Sequence, residues 1–227
     1  MISLLLAAIF FVGIHVLVSG TSLRAAIVAK TGEVVYQTAF SVVSLLGLIW
    51  LGFAYAAVEP AEFWEPAAWL RPVTHLLTLL SFLLVAIGMA TPSPTAVGGE
   101  AALSEGVTAS GILRITRHPF LWGVALWAVA HLLVSAELAS LVFFGALLLL
   151  ALVGPPSIDA KRKRMFGEHW TTFAESTSSV PFLAISQGRN TLELAEIGWW
   201  RIALGLVLYA VFVGTHTWLF GVSPFGA

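Results

Sequence analysis

The stretch Arg114-Ile-Thr-Arg-His-Pro-Phe-Leu-Trp-Gly-Val-Ala-Leu-Trp-Ala-Val-Ala-His131 decides how the chain is read. Two arginines come first, then a proline where a helix should begin, then an apolar run that closes on a histidine. Pro119 suits the first turn of a helix, where its missing N–H removes no hydrogen bond. His118, immediately before it, is pushed toward extended geometry and marks the boundary. From His118 to His131 is 13 residues, roughly 20 Å along a helix. A helix of this kind places His118 at a membrane surface and His131 within the bilayer.

The rest of the chain agrees with a membrane setting. Of 227 residues, 59% are hydrophobic and 10% charged, and the mean hydropathy is +0.94. A soluble domain carries about 25% charged residues. The chain therefore reads as an all-α, polytopic transmembrane helical bundle in the lipid bilayer, forming a single integral membrane domain over 1–227. A net charge of −1 and the lack of a basic arm argue against a nucleic-acid partner. The absence of cysteine excludes disulfides, thiolate chemistry and Cys-ligated zinc or iron–sulfur sites.

About six spans are expected, at 2–19, 35–57, 72–90, 118–136, 138–155 and 199–220. Met1–Ser19 is taken as a membrane helix, since it has no basic n-region before it and no small-x-small site after it. The fourth and fifth spans join through a tight turn near Ser135–Glu137. With these spans, 10 of the 11 basic residues fall on one side, including Arg24, Lys30, Arg114, Arg117, Lys161, Arg162, Lys163, Arg164, Arg189 and Arg201. The other side holds Arg71 beside Glu59, Glu62, Glu65 and Glu137. The positive-inside rule makes the basic side cytoplasmic and puts both termini outside, as for a multi-pass protein of a bacterial inner membrane.

Two segments are not spans. Thr91–Gly111, with Pro92, Pro94, Gly98 and Gly99, reads as a cytoplasmic loop. Ile158–Ile197 carries Lys161–Arg164 with Met165, Phe166, Trp170, Phe173 and Phe182, a composition that suits helices lying in the interface. The basic run by itself is explained by topology and lipid-headgroup contact.

Ionisable side chains inside spans are costly and point to function. His15, His75, His131 and His216 fall within spans, and His118 at a span end; His169 reads as solvated. His131 shares a helix face with Trp127 and Gly123, and the missing side chain of Gly123 would let a flat ligand approach. Span 2 shows a polar stripe of Gln37, Ser41 and Ser44. Each histidine alone is explained by an interhelical hydrogen bond. Four together, without cysteine, favour a shared ligand, and haem iron is the usual partner of neutral imidazoles in a bilayer. His15 and His131 would lie about 13 Å apart in depth by helical rise, compatible with imidazoles on both sides of one metal. Pairs of His131 with His75 or His216 remain open as metal ligands, and no residue is assigned a catalytic role.

The chain resembles the NnrU proteins and their plant relatives, the 15-cis-ζ-carotene isomerases. The resemblance is carried by His15, Ser19, Gly20, Leu23 and Arg24, then R-I-T-R-H-P with Gly123, then Leu-Trp and Ala-His at 126–131. Ile158-Asp159, Phe166-Gly167, Thr177-Ser178 and Val180-Pro-Phe follow in the same order. It implies an association with denitrification for bacterial members. For plant members it implies a haem b enzyme that isomerises a cis double bond of a carotene, a hydrophobic polyene. The plant ligand histidines match His15 and His131. The plant pattern has a cysteine where this chain has Ala128, and a histidine pair where it has Leu149, Leu150 and Ala151. A second resemblance, to isoprenylcysteine methyltransferase-type enzymes, would place S-adenosylmethionine at Arg117, His118, Asp159 and Trp170. A non-enzymatic assembly factor is the third expectation.

Overall fold

Long apolar runs in this sequence satisfy their backbone groups internally, and helix is the form that does so without a partner segment. The computed structural model describes residues 1–61, 63, 66–96, 98–99, 108–135 and 137–226. Glu62, Glu65, residues 97 and 100–107 of the expected cytoplasmic loop, and Ala136 of the expected turn lie outside the described residues. The described chain is all-helical. Its elements are α1 (Ile2–Gly13) running into a π-helical stretch (Ile14–Ser19), α2 (Ser22–Thr31), α3 (Glu33–Ala56), α4 (Leu70–Met89), α5 (Ile112–Ile115), α6 (Pro119–Val134), α7 (Leu138–Phe166), α8 (Glu168–Ser176), α9 (Leu183–Ser186), a 3₁₀ turn (Leu194–Ile197) and α10 (Trp199–Phe220).

Among the described residues, five helical segments are long and apolar enough to cross a membrane: Ile2–Ser19, α3, α4, α7 and α10. The sixth expected span is α6, an apolar helix of 16 residues, about 24 Å long and below the roughly 20 residues a span ordinarily takes. On α10, Trp199 and Trp218 are the most outward-facing side chains, 81% and 83% exposed. They stand near its two ends, about 28 Å apart by helical rise, matching the thickness of a bilayer core with an aromatic at each boundary. The chain is a multi-pass membrane protein.

Two compact units make up the structure: Met1–Ala68 with His131–Leu150, and Trp69–Ala130 with Ala151–Ala227. In the first, α1 presents Leu4, Ala7, Ala8 and Phe11, one stripe at helical spacing, to Leu51 and Ala54 of α3 and to Ala139 and Ala146 of α7. Small residues let the helices approach where no hydrophobic effect drives them together in lipid. Gly47 of α3 shows this: a Cβ there would lie 3.1 Å from the Phe10 ring and 3.4 Å from Phe11. Tyr55 and the fully buried Ser140 share a 2.9 Å hydrogen bond.

In the second unit, glycines again set the spacing. A Cβ on Gly123 of α6 would meet Val85 and the Ser81 carbonyl of α4, and one on Gly205 of α10 would meet Leu83 of α4. Hydrogen bonds then tie four helix ends together. Arg201, at the start of α10, donates to Ala90 O beyond α4 (3.2 Å). Thr95 donates to Arg117 O before α6 (2.5 Å). Arg162, near the end of α7, donates to Ala96 O (2.9 Å).

The helix that carries the fifth expected span continues past residue 155: α7 runs through Pro155 and Pro156 to Phe166. Prolines remove helical hydrogen bonds, but the turns beyond them are anchored by Asp159 and Arg162, so tertiary contacts outweigh the local preference. The aromatic residues after it divide. Trp170 and Phe173 are buried with Ile87, Ile112, Leu113, Ile115 and Ile197, while Met165 and Phe182 are exposed. The apolar face of α8 thus covers α5 and the end of α4.

Removal of Asp159 tests the anchor. Asp159→Ala leaves Arg117 as a largely buried cation without its carboxylate and is expected to lower stability by about 3–5 kcal/mol, read as a lower unfolding midpoint in detergent. An unchanged midpoint would show that the ion pair carries no stability.

A second tie answers to pH. The Glu196 carboxylate accepts from Arg114 Nε (2.7 Å) and Nη2 (2.8 Å) and from Gly111 N (2.8 Å). The Arg114 guanidinium and the Gly111 amide together lower its pKa from the ordinary 4.5 to about 2. A depressed folded value means that the contribution is whole above pH 4.5 and is lost as pH falls toward 2. The stability difference between the native chain and Glu196→Gln is therefore expected to stay constant above about pH 5.5 and shrink below 4.5. A difference that grows on acidification would contradict the assignment.

Candidate functional site

Within the R-I-T-R-H-P segment, Thr116, Arg117 and His118 link α5 to α6, and the backbone from Ile115 to Arg117 is matched to the residues before α9. Arg117 N donates to Ser178 O (2.9 Å) and Phe182 N to Ile115 O (2.8 Å). Thr116, fully buried, donates to Ser179 O (2.8 Å), which also receives Trp122 Nε1 (2.7 Å). Phe182 holds a left-handed backbone, φ 63°, uncommon for a side chain of this size. The two motifs, 60 residues apart in sequence, form one structure.

Within it, Arg117 and His118 meet Asp159. Arg117 Nη2 donates to Asp159 Oδ2 (2.5 Å) and Nε reaches both carboxylate oxygens (3.2 and 3.0 Å). His118 Nε2 bonds Asp159 Oδ1 (2.8 Å), with the histidine 2% exposed. The Arg117 guanidinium lies over the Trp170 ring at 5.7 Å. The four residues of the methyltransferase expectation are thus brought together, but their polar atoms are directed at one another. They hold helix ends in place.

The intramembrane histidines are arranged otherwise. His15 sits in the π-helical stretch, a distortion that recurs at functional positions. Its Nδ1 is 2.7 Å from Phe11 O. A carbonyl can only accept, so Nδ1 carries the proton and Nε2 keeps the lone pair. That nitrogen has no hydrogen-bond partner among the described residues. The ring contacts Phe11 (centroids 4.6 Å) and meets Phe40 edge-on (5.2 Å). His131 stacks on Phe144 at 4.6 Å and 20°. Phe144 packs against Phe143 and Tyr55, and these two lie against the cluster that contains Phe11. His15 and His131 therefore belong to one unit, each against its own group of aromatic rings, and both groups adjoin the apolar cluster of that unit.

His75 has both ring nitrogens engaged, with Tyr209 Oη and Pro224 O at 3.1 Å each. His216 has Nδ1 against Val222 O (2.8 Å). Both belong to the second unit. Gly123 and Trp127 do so too, and Gly123 corrects an expectation. Its face is filled by Val85 and Ser81 of α4. The missing side chain serves helix contact, not the approach of a ligand.

The polar stripe expected on α3 is turned inward in part, with Gln37 and Ser44 half-buried. Ser41 faces outward, whereas Tyr36, Phe40 and Ser44, at i, i+4 and i+8, turn toward the interior. The hydroxyls of Tyr36 and Ser44 are buried, and neither has a partner at hydrogen-bonding distance. Ser19 is a polar neighbour of the Tyr36 hydroxyl, without the geometry of a hydrogen bond. A tyrosine four residues before a phenylalanine was the available signal.

The donor set suits a haem. His15 offers a neutral imidazole with Nδ1 fixed by its own backbone, the outer hydrogen bond that orients a metal-bound histidine. His131 shares its unit. Orphaned hydroxyls on the same face of α3 leave polar capacity for a bound group. No group of three or more His, Asp or Glu fit for a bare ion is found among the described residues.

The sequence model of the NnrU protein family matches residues 3–224. The chain belongs to the NnrU family. It is similar to the chloroplastic 15-cis-ζ-carotene isomerase of Zea mays, 28% identical over 195 residues, covering 83% of this chain and 52% of the relative. Its likeness to the chloroplastic 15-cis-ζ-carotene isomerase of Arabidopsis thaliana is 36% over 84 residues, 37% of this chain and 23% of the relative. The chain thus spans about half or less of the relatives it matches. No solved structure matches.

Replacing Gly123 tests its packing role. Gly123→Leu is expected to lower stability by about 1–3 kcal/mol through overpacking against Val85 and Ser81, seen as a lower unfolding midpoint. Full stability would mean that the face is open.

Proposed function

We propose that this chain is a haem b-binding isomerase of an inner membrane that converts a cis double bond of a carotene-like polyene to trans, with His15 and His131 as axial ligands. The observation that carries the reading is the placement of two intramembrane histidines in one unit, each against aromatic rings that adjoin the same apolar cluster. Similarity to plant 15-cis-ζ-carotene isomerases supports the substrate class. In the same reading α6 is a sixth span, both termini are outside, and the basic residues face the cytoplasm.

When bound, haem supplies a redox-active iron whose ferrous form polarises a double bond. The chain supplies the rest. Phe11 O holds His15 in the tautomer with Nε2 unprotonated, and Phe11 and Phe40 fix its ring plane. Phe144 fixes that of His131. Phe143, Phe144 and Tyr55 offer flat, uncharged surfaces for a conjugated chain. The apolar cluster beside these rings holds no charged side chain. Isomerisation changes neither atoms nor electrons, and the site needs no acid or base.

The test uses purified protein reconstituted with haem and incubated with 15-cis-ζ-carotene, oxidised or dithionite-reduced, with isomers separated by chromatography. Conversion is expected after reduction, falling to the background rate in His15→Ala and in His131→Ala. Conversion that persists in both variants would overturn the reading.

A further inference from the structure

One corner of the first unit carries more polar capacity than its own residues satisfy. Gly20 and Thr21 end the first helical segment, with Thr21 Oγ1 accepting from Leu23 N at the start of α2. Gly32, at φ +85°, closes α2 and opens α3. This double bend brings Arg24 back onto α3, where it pairs with Glu33 and lies 5.2 Å over the Tyr36 ring. The Arg24 side chain is 12% exposed.

A guanidinium has five N–H donors and no acceptor. Here one nitrogen, Nη2, donates to Glu33, and the remaining N–H groups have no acceptor among the described residues. Glu33 is also occupied by the amide of Gln37 at 2.7 Å. The Tyr36 hydroxyl beside it is buried without a partner. Tyr36 is 7% exposed. Its ring stacks on Phe40 at 5.7 Å and 21°, and Phe40 meets His15. Along this face the chemistry runs from guanidinium and phenol, through two aromatic rings, to an imidazole.

We propose that Arg24 and Tyr36 form the carboxylate-binding end of the His15 site, selecting a ligand with acid groups at the edge of an apolar body, as in a porphyrin dicarboxylate. The inference rests on the haem reading and adds what holds the acid groups. A carboxylate supplies acceptors to both residues, whereas a hydrocarbon polyene supplies none. Charge-assisted bonds of this kind are the strong ones.

The test compares haem with its dimethyl ester, which keeps the iron and loses the acids, by titration into the haem-free full-length protein in detergent. Metal-free protoporphyrin IX and its dimethyl ester, followed by fluorescence, form the second pair. The native chain is expected to favour each free acid over its ester by about tenfold or more. Arg24→Gln and Tyr36→Phe are expected to reduce that preference and leave ester affinity unchanged. The ratio within one protein separates a binding effect from partial misfolding. Equal affinity of acid and ester in the native chain, or a preference untouched in both variants, would overturn the inference. A haem spectrum indifferent to His15→Ala, with an Arg24-dependent acid preference intact, would retain it and remove the ligation. Binding of neither porphyrin would overturn both.

Discussion

Every polar side chain drawn into this apolar chain must find a partner, because lipid offers none. The second unit meets the constraint in full at Asp159. One carboxylate receives a bidentate arginine and a buried histidine, and the arginine covers a tryptophan. Around it Thr116, Trp122 and the backbone at 178–182 close on one another. A site so saturated has structural work: it fixes the ends of α4, α6, α7 and α10. Its ionic groups explain why two distant motifs accompany each other in one sequence.

The first unit leaves the same constraint unmet. Tyr36 and Ser44 bury hydroxyls without partners, Arg24 holds donors in reserve, and His15 directs one nitrogen to its backbone while the other stays unprotonated. Buried polar groups of this kind are a few per protein and call for a reason. A bound group that brings a metal for imidazole and acids for arginine and tyrosine satisfies them together. His75 of the second unit is engaged at both ring nitrogens, whereas His15 of the first keeps Nε2 without a partner among the described residues.

Much of the fold was legible because it depends on local pattern. The last span was read as 199–220, the bounds of α10, since its apolar run starts after Gly198 and stops before Gly221. Non-local contacts were not legible. Pro155 and Pro156 announced a helix end that Asp159 and Arg162 override. Gly123 is compatible with a ligand cleft or a helix contact, and only the neighbouring α4 decides. On α3 the polar stripe is legible at Gln37 and Ser44, whereas nothing local shows that Tyr36 and Phe40 share the inward side with Ser44.

The central claim is that His15 and His131 hold one haem in the first unit. The most direct measurement is the absorption spectrum of protein purified from haem-replete cells, oxidised and then reduced with dithionite, beside His15→Ala and His131→Ala. The account predicts a Soret band that shifts on reduction and is lost or altered in each variant, with His75→Ala unchanged. A colourless native protein, or a spectrum identical in both variants, would contradict it.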